Sequence, residues 1–190
     1  MSVYVVRHGE TEWSRARRHT GRTDVALTPR GRIQAGLLHG ALDHLAPDRV
    51  LTSPLGRARD TAALAGFGSA VDDERLLEWD YGDAEGRTTS EIREEVPGWS
   101  VWTHPITGGE ALESVAARVD PLVAELADPE VTTLLFAHAH VLRILAARWC
   151  ELEAAAGVRF VMDPATVGCL GFERGVRCVQ RWNLAPDGRL

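Results

Sequence analysis

Val3-Tyr4-Val5-Val6-Arg7-His8-Gly9-Glu10-Thr11 is a short apolar, β-branched run that stops on a guanidinium, an imidazole and a glycine. A run of that length and composition, closed by a turn residue, predicts a buried strand starting near residue 3. A cation and a histidine at the exit of a buried strand are costly unless an anion belongs there. His8 is therefore the candidate chemical centre, and the rest of the chain has to supply what such a centre needs.

Further along, short apolar runs alternate with helical patterns. Thr28-Pro29 opens a helix as N-cap and first helical residue, with Ile33, Leu37, Leu38, Ala41, Leu42 and Leu45 as its apolar face and Pro47 as its end. Arg49 to Ser53 reads as a second strand, and Ser53-Pro54 repeats the cap-plus-proline start for a helix running to Gly66. A short strand is expected at Ser69 to Val71 and an irregular, acid-rich stretch from Leu76 to Gly86. One or two helical turns are expected at Thr89 to Glu95 and a loop from Pro97 to Gly109. Leu112, Val115, Ala116, Val119, Leu122, Val123 and Leu126 mark a long helix, which Pro121 should kink or deprive of a bond. Val131 to Ala137 is a continuous apolar run, as expected of a strand covered on both faces, and His138-Ala139-His140 follows it directly. Val167 to Phe172 and Arg177 to Trp182 read as two strands joined at Glu173-Arg174-Gly175.

Strand–helix alternation predicts an α/β fold with a mostly parallel sheet between helices, and ligands in such sheets bind outside the carboxyl ends of the strands. The 190 residues fit one α/β domain, residues 1–190, with no linker or internal repeat to split it. A net charge of −6 argues against a nucleic-acid partner, and no basic, apolar leader or membrane-length run is present. Three cysteines without C-x-x-C spacing read as reduced thiols, hence a cytoplasmic location. Monomer and homodimer both remain open.

Arg7-His8, Ser53 leading to Arg57, and His138 all follow strands, so they can share one rim of the sheet. Two histidines and two arginines suit phosphoryl transfer. A neutral imidazole nitrogen attacks phosphorus, and arginine forks match phosphate oxygens. His138 is placed to stabilise the in-line transition state, and the start of the Pro54 helix to add N–H groups. A leaving alkoxide needs a proton, which points to the loop Glu78-Trp79-Asp80-Tyr81. The basic segment Arg15 to Arg22 is either a solvated loop or a rim that steers anions. A metal site built on His8, His138 and His140 is a separate reading, and the two arginines at the same rim would repel a cation.

Arg7-His8-Gly9-Glu10-Thr11 matches the signature of the histidine phosphatase (phosphoglycerate mutase-like) superfamily. Ser53-Pro54-Leu55-Gly56-Arg57-Ala58-Arg59-Asp60-Thr61, Leu77-Glu78-Trp79-Asp80-Tyr81-Gly82 and His138 after its strand resemble that family's further elements, in its order. Gly109-Glu110 resembles the element before its long helix. The resemblance implies a three-layer α/β/α sandwich and a metal-independent phosphomonoesterase that needs no cofactor. It implies a phosphohistidine at His8, a phosphoryl group held by Arg7, Arg57 and His138, and a proton supplied by Glu78. Ser14, Thr20 and Gly21 would line the pocket, with Tyr81, Ala139 and His140 as further wall residues. Members usually carry Gly where this chain has Ala139, Ser where it has Ala111, and often Asn where it has Ser14. The mutase branch adds an arginine-rich insertion after the acid loop, whereas Thr88 to Pro105 holds only Arg93. The whole pattern most resembles the cytosolic broad or sugar-phosphate phosphatases, acting on a small phosphorylated metabolite. A mutase-type phosphotransferase and a non-catalytic phospholigand-binding protein are the alternatives.

Overall fold

The computed structural model describes residues 2–186. In chain order, β1 (Val3–Arg7) leads into the single-turn α1 (Glu12–Arg15), then α2 (Pro29–Leu42), β2 (Arg49–Thr52) and α3 (Gly56–Leu64). After β3 (Val71–Asp72) come two 3-10 turns, α4 (Thr89–Glu95), α5 (Leu112–Leu126), β4 (Thr133–Ala137) and α6 (Ala139–Trp149). A third 3-10 segment, Ala154–Arg159, precedes β5 (Val167–Glu173) and β6 (Val176–Leu184).

The six strands form one sheet in the order β3-β2-β4-β1-β5-β6. β3, β2, β4 and β1 run parallel, and the hairpin β5–β6 joins antiparallel on β1. Side chains alternate between faces along each strand. Val6, Leu134 and Phe136 therefore pack with Leu38 and Leu42 of α2 and Ala62 of α3. Val5, Leu135 and Ala137 pack on the other side with Val119 and Leu122 of α5 and Leu145 of α6. With helices on both faces, every residue of β4 is buried, which is why its sequence reads as an unbroken apolar run. The result is the expected α/β/α sandwich with a mostly parallel sheet. Among the described residues no helix is long and apolar enough to cross a membrane.

Several local expectations needed correction. α2 starts as predicted, with the Thr28 hydroxyl accepting from the Gly31 N–H, but it ends at Leu42, well before Pro47. Its inner face is Gly31, Ala35, Leu38, Ala41 and Leu42; Ile33 and Leu37 are exposed. Leucine content alone misplaced that face, because glycine and alanine occupy inner positions where the backbones come close. Ser53 does not cap α3. The helix begins at Gly56 without a side-chain cap, and the Gly56 N–H is given to Asp24 Oδ2 at 2.8 Å. Its N-terminus is thus turned on a carboxylate of the chain itself. β3 lies one to two residues later than expected, and α5 continues through Pro121.

Candidate active site

β4 lies between β1 and β2, and the three strands point the same way, so their carboxyl ends form one edge. The His8 N–H donates to the Ala137 carbonyl at 3.0 Å and the Ser53 N–H to the Phe136 carbonyl at 2.8 Å. Register therefore places His138 between His8 and Ser53. The His8 and His138 rings meet edge to face, 5.1 Å between centroids.

The turn after β1 is held by close backbone packing. A Cβ at Gly9 would lie 2.4 Å from the Gly31 carbonyl oxygen, and one at Gly31 would lie 2.1 Å from that of Glu10. The Gly9 N–H donates to Thr61 Oγ1 at 3.0 Å. In this turn His8 Nδ1 lies 2.7 Å from the Gly9 carbonyl oxygen. A carbonyl only accepts, so Nδ1 carries the proton and Nε2 keeps its lone pair. Burial, then the nearby charges of Arg57 and Arg7, push the His8 pKa well below the usual histidine value, so the ring is neutral.

Arg57 is fully buried. Its Nε–H donates to His138 Nδ1 at 3.1 Å, Nη1 to the Thr23 carbonyl at 2.9 Å, and Nη2 to the carbonyls of Thr20 and Gly21 at 3.2 and 2.8 Å. Arginine only donates, so His138 Nδ1 is an acceptor and its proton is on Nε2, 2.8 Å from Ser53 Oγ. His138 is neutral as well, its pKa lowered by burial and by Arg57. Arg7 Nη1 donates to the Met162 carbonyl at 2.6 Å, and its buried Nε has no partner among the described residues. An orphaned donor on a half-buried cation is a group that an anion would satisfy.

Glu78 sits at the N-terminus of α6. Its Oε1 accepts from the N–H groups of Trp79 and Val141 at 3.0 and 2.9 Å, and its Oε2 from that of His140 at 3.0 Å. The N-cap residue His138 makes no capping bond of its own. A carboxylate from another loop therefore satisfies α6 and leaves the His138 imidazole to the site.

A cleft of about 550 Å³ opens on this edge. Of the residues expected at the site, Arg7, His8, Ser14, Thr20, Glu78, Tyr81, Ala139 and His140 line it. Gly21, Arg57 and His138 lie behind its wall. Ala139 is the first residue of α6 and does not lie at positive φ, so its backbone does not call for glycine. Tyr81 is buried, which holds its phenol pKa well above normal, and it hydrogen-bonds His140 Nδ1. The basic segment divides. Arg15 pairs with Glu12 and Arg22 with Glu110, whereas Arg17, Arg18 and His19 line the cleft. Sequence reasoning missed Arg93, Trp102 and Arg143 on the wall, and it gave Glu85 no role in shaping the site. Glu85 accepts the N–H groups of Gly21 and Thr23 at 2.9 and 2.8 Å and so shapes the loop that Arg57 clamps. The only sign of it in the sequence was its place in the acid loop. Among the described residues no three His, Cys, Asp or Glu side chains converge as a metal-ligand set.

A buried neutral histidine with one free nitrogen, a partly unsatisfied arginine and a cation-rich cleft at the carboxyl edge of an α/β sandwich define a phosphoryl-handling enzyme. The family model for the histidine phosphatase superfamily (branch 1) matches residues 3–185. An acid phosphatase of Mycobacterium tuberculosis is 46% identical over 180 residues, 92% of this chain and 88% of that protein. A sedoheptulose 1,7-bisphosphatase of Saccharomyces cerevisiae is 34% identical over 78% of this chain and 67% of its own. The solved structure of an open-reading-frame product from Mycobacterium tuberculosis superposes with a TM-score of 0.92 at 42% identity, covering 97% of this chain and 98% of that one. The chain belongs to the histidine phosphatase superfamily, branch 1, and is a phosphatase of that group.

Proposed function

We propose that this phosphatase hydrolyses the monoester of a small phosphorylated metabolite, a sugar phosphate or similar, through a phosphohistidine at His8 and without a metal. The observation that carries the proposal is the His8 Nδ1–H bond to the Gly9 carbonyl. It fixes the tautomer in which Nε2 is nucleophilic, on a ring kept neutral by burial and two arginines. Nε2 attacks phosphorus, the P–O bond to the alcohol breaks, and the departing oxygen takes a proton from Glu78. Water then attacks phosphorus and gives a proton back to Glu78, the N–P bond breaks, and inorganic phosphate leaves.

Glu78 is suited to both states. As an acid, its carbonyl oxygen Oε1 still accepts two N–H bonds, and the hydroxyl oxygen Oε2 accepts one while donating. Arg7 binds the phosphoryl group through the donors that the protein leaves unused. His138 contributes the Nε2 proton now shared with Ser53, and Arg57 contributes its charge while clamping His138 and the 20–23 loop. Ser14, Thr20, Tyr81, Ala139 and His140 contact the substrate beyond the phosphoryl group. The sugar-type leaving group rests on the bisphosphatase relative and on the polar lining of the cleft. Three free cysteines fit a reducing cytoplasm.

Rapid quenching with phosphorus-labelled p-nitrophenyl phosphate tests the reading. The expected result is an acid-labile, alkali-stable protein label that is absent in His8→Ala, with turnover unchanged by chelator. Near-normal turnover in His8→Ala would refute the covalent route, and stoichiometric metal with chelator-sensitive activity would refute its metal independence.

A further inference from the structure

We infer that Asn183, near the end of β6, is a positioning residue for the phosphoryl site: acting through Asp163, it holds the strap of residues 162–166 that fixes Arg7 and His8. The inference rests on the phosphatase reading and names a residue outside the cleft on which phosphate affinity depends.

The strap leads from the third 3-10 segment into β5, and its residues Met162, Asp163 and Pro164 line the cleft. One end is fastened to the exit of β1. The Ala165 N–H is shared between the carbonyls of Arg7 and His8, at 3.2 and 3.1 Å, and the Arg7 N–H returns to the Thr166 carbonyl at 3.2 Å. The Met162 carbonyl takes Arg7 Nη1 at 2.6 Å. The same strap therefore orients both the backbone and the fork of Arg7. The other end is held from β6. The Asp163 N–H donates to Asn183 Oδ1 at 2.7 Å, and Asn183 Nδ2 donates to Asp163 Oδ2 at 3.0 Å. An N–H only donates and a carboxylate only accepts, so the amide can close this clasp in one orientation alone. The Thr166 hydroxyl, donating to the Asp163 carbonyl at 2.8 Å, ties the clasp to the part of the strap that grips β1.

Backbone strain is a second observation. Ala165 has a φ of 54° and Asn183 one of 56°, both in the left-handed region. Asparagine tolerates that region, whereas alanine is strained there. Such residues persist only where their surroundings over-determine them, and they gather at functional sites. The strained, buried Ala165 is the residue whose N–H joins Arg7 to His8. Asn183 leaves the extended geometry of β6 at the point where its side chain reaches the strap. The clasp also decides where a carboxylate rests. Burial lowers the Arg7 pKa, and the charges of Glu78 and Asp163 act against that. Among the described residues Asp163 nonetheless makes its side-chain bond to Asn183 and not to Arg7. Released from Asn183, the Asp163 carboxylate would compete with phosphate for Arg7.

Calorimetric titration of inorganic phosphate into the whole protein tests the inference. Asn183→Gly removes the clasp and suits the left-handed backbone, so the variant keeps its fold. Its Kd for phosphate should rise about tenfold, as for the loss of one hydrogen bond to a charged group, and kcat/KM for p-nitrophenyl phosphate should fall chiefly through KM. Asn183→Asp sets two carboxylates face to face and should weaken phosphate binding as well. Asp163→Asn combined with Asn183→Asp rebuilds both hydrogen bonds with the roles exchanged, and should return Kd to within about threefold of the unaltered protein. A merely structural contact would register in Tm and leave phosphate affinity alone. Phosphate affinity within about twofold of the original in Asn183→Gly, or an exchanged pair that binds as weakly as Asn183→Asp by itself, would overturn the inference. The titration reads equilibrium binding without turnover. If His8→Ala retained turnover while this pattern of affinities held, the covalent route would fall and the positioning role would stand.

Discussion

Replacing Glu78 with glutamine separates two jobs that one carboxyl group is assigned. Structurally, Glu78 satisfies three N–H groups of the acid loop and the first turn of α6. The amide oxygen of glutamine can take the Oε1 position and serve Trp79 and Val141, but its NH2 group then faces the His140 N–H, donor against donor. Leaving that part-buried donor unsatisfied costs up to about 1–3 kcal/mol, and losing the charge at the helix N-terminus costs about 0.3–1 kcal/mol more. For a chain of this length each kcal/mol moves Tm by about 2–4 °C, so a fall of about 3–16 °C is expected by calorimetry.

Chemically, losing a general acid slows an alkyl ester by about 10²–10⁴. p-Nitrophenolate leaves without a proton, so its phosphohistidine should still form in Glu78→Gln, whereas hydrolysis of that intermediate, which also uses Glu78, should be slow. Stopped-flow mixing well below Tm should therefore show a burst of p-nitrophenol approaching one per protein molecule, followed by a slow steady state, and no burst with an alkyl ester. If both esters slow equally and neither gives a burst, Glu78 is not the proton donor and only caps α6.

Two further predictions concern stability. His8, His138 and His140 all have folded pKa values well below the usual histidine value, each chiefly through burial. The unfolded chain therefore binds more protons as pH drops below about 6.5. Stability is complete above that pH and is lost below it, by up to about 1.4 kcal/mol per pH unit for each ring. Denaturant midpoints should fall steeply between pH 6.5 and 5, and a flat profile there would contradict neutral buried rings. Gly31→Ala would bring a methyl group within 2.1 Å of the Glu10 carbonyl oxygen, at an overpacking cost of about 1–3 kcal/mol. Gly36→Ala, in the same helix with nothing within 4 Å, should instead stabilise by about 0.5–1 kcal/mol. Thermal melts giving both changes the same sign would show that close packing of α2 on the 9–10 turn is not what holds His8.

The sandwich was legible because its central strands carry their burial in their composition. Val5, Val6 and Leu134 to Phe136 leave no polar position that could face water, and each strand ends on a residue that cannot stay buried unpaired. The gathering of the candidate residues at one edge was legible for the same reason: Arg7, His8 and His138 are charged or titratable groups at the ends of apolar runs. What escaped lay in pairings between distant loops. Nothing near Glu78 in the sequence announces that it caps a helix starting 61 residues later, nor that Glu85 holds the 20–23 loop. Arg57 shows the same limit from the other side. Its place in the S-P-x-x-R element marks it for phosphate, yet here its donors go to three carbonyls and to His138. Those bonds make it the residue through which the 20–23 loop, the start of α3 and the second histidine are held as one piece. A phosphoryl group seated on His8 would feel that buried charge whether or not a guanidinium N–H reaches it. On the proposed mechanism, then, electrostatics and hydrogen-bond donation would belong to different arginines: Arg57 would supply fixed charge, and Arg7, whose buried Nε has no partner among the described residues, would supply contact.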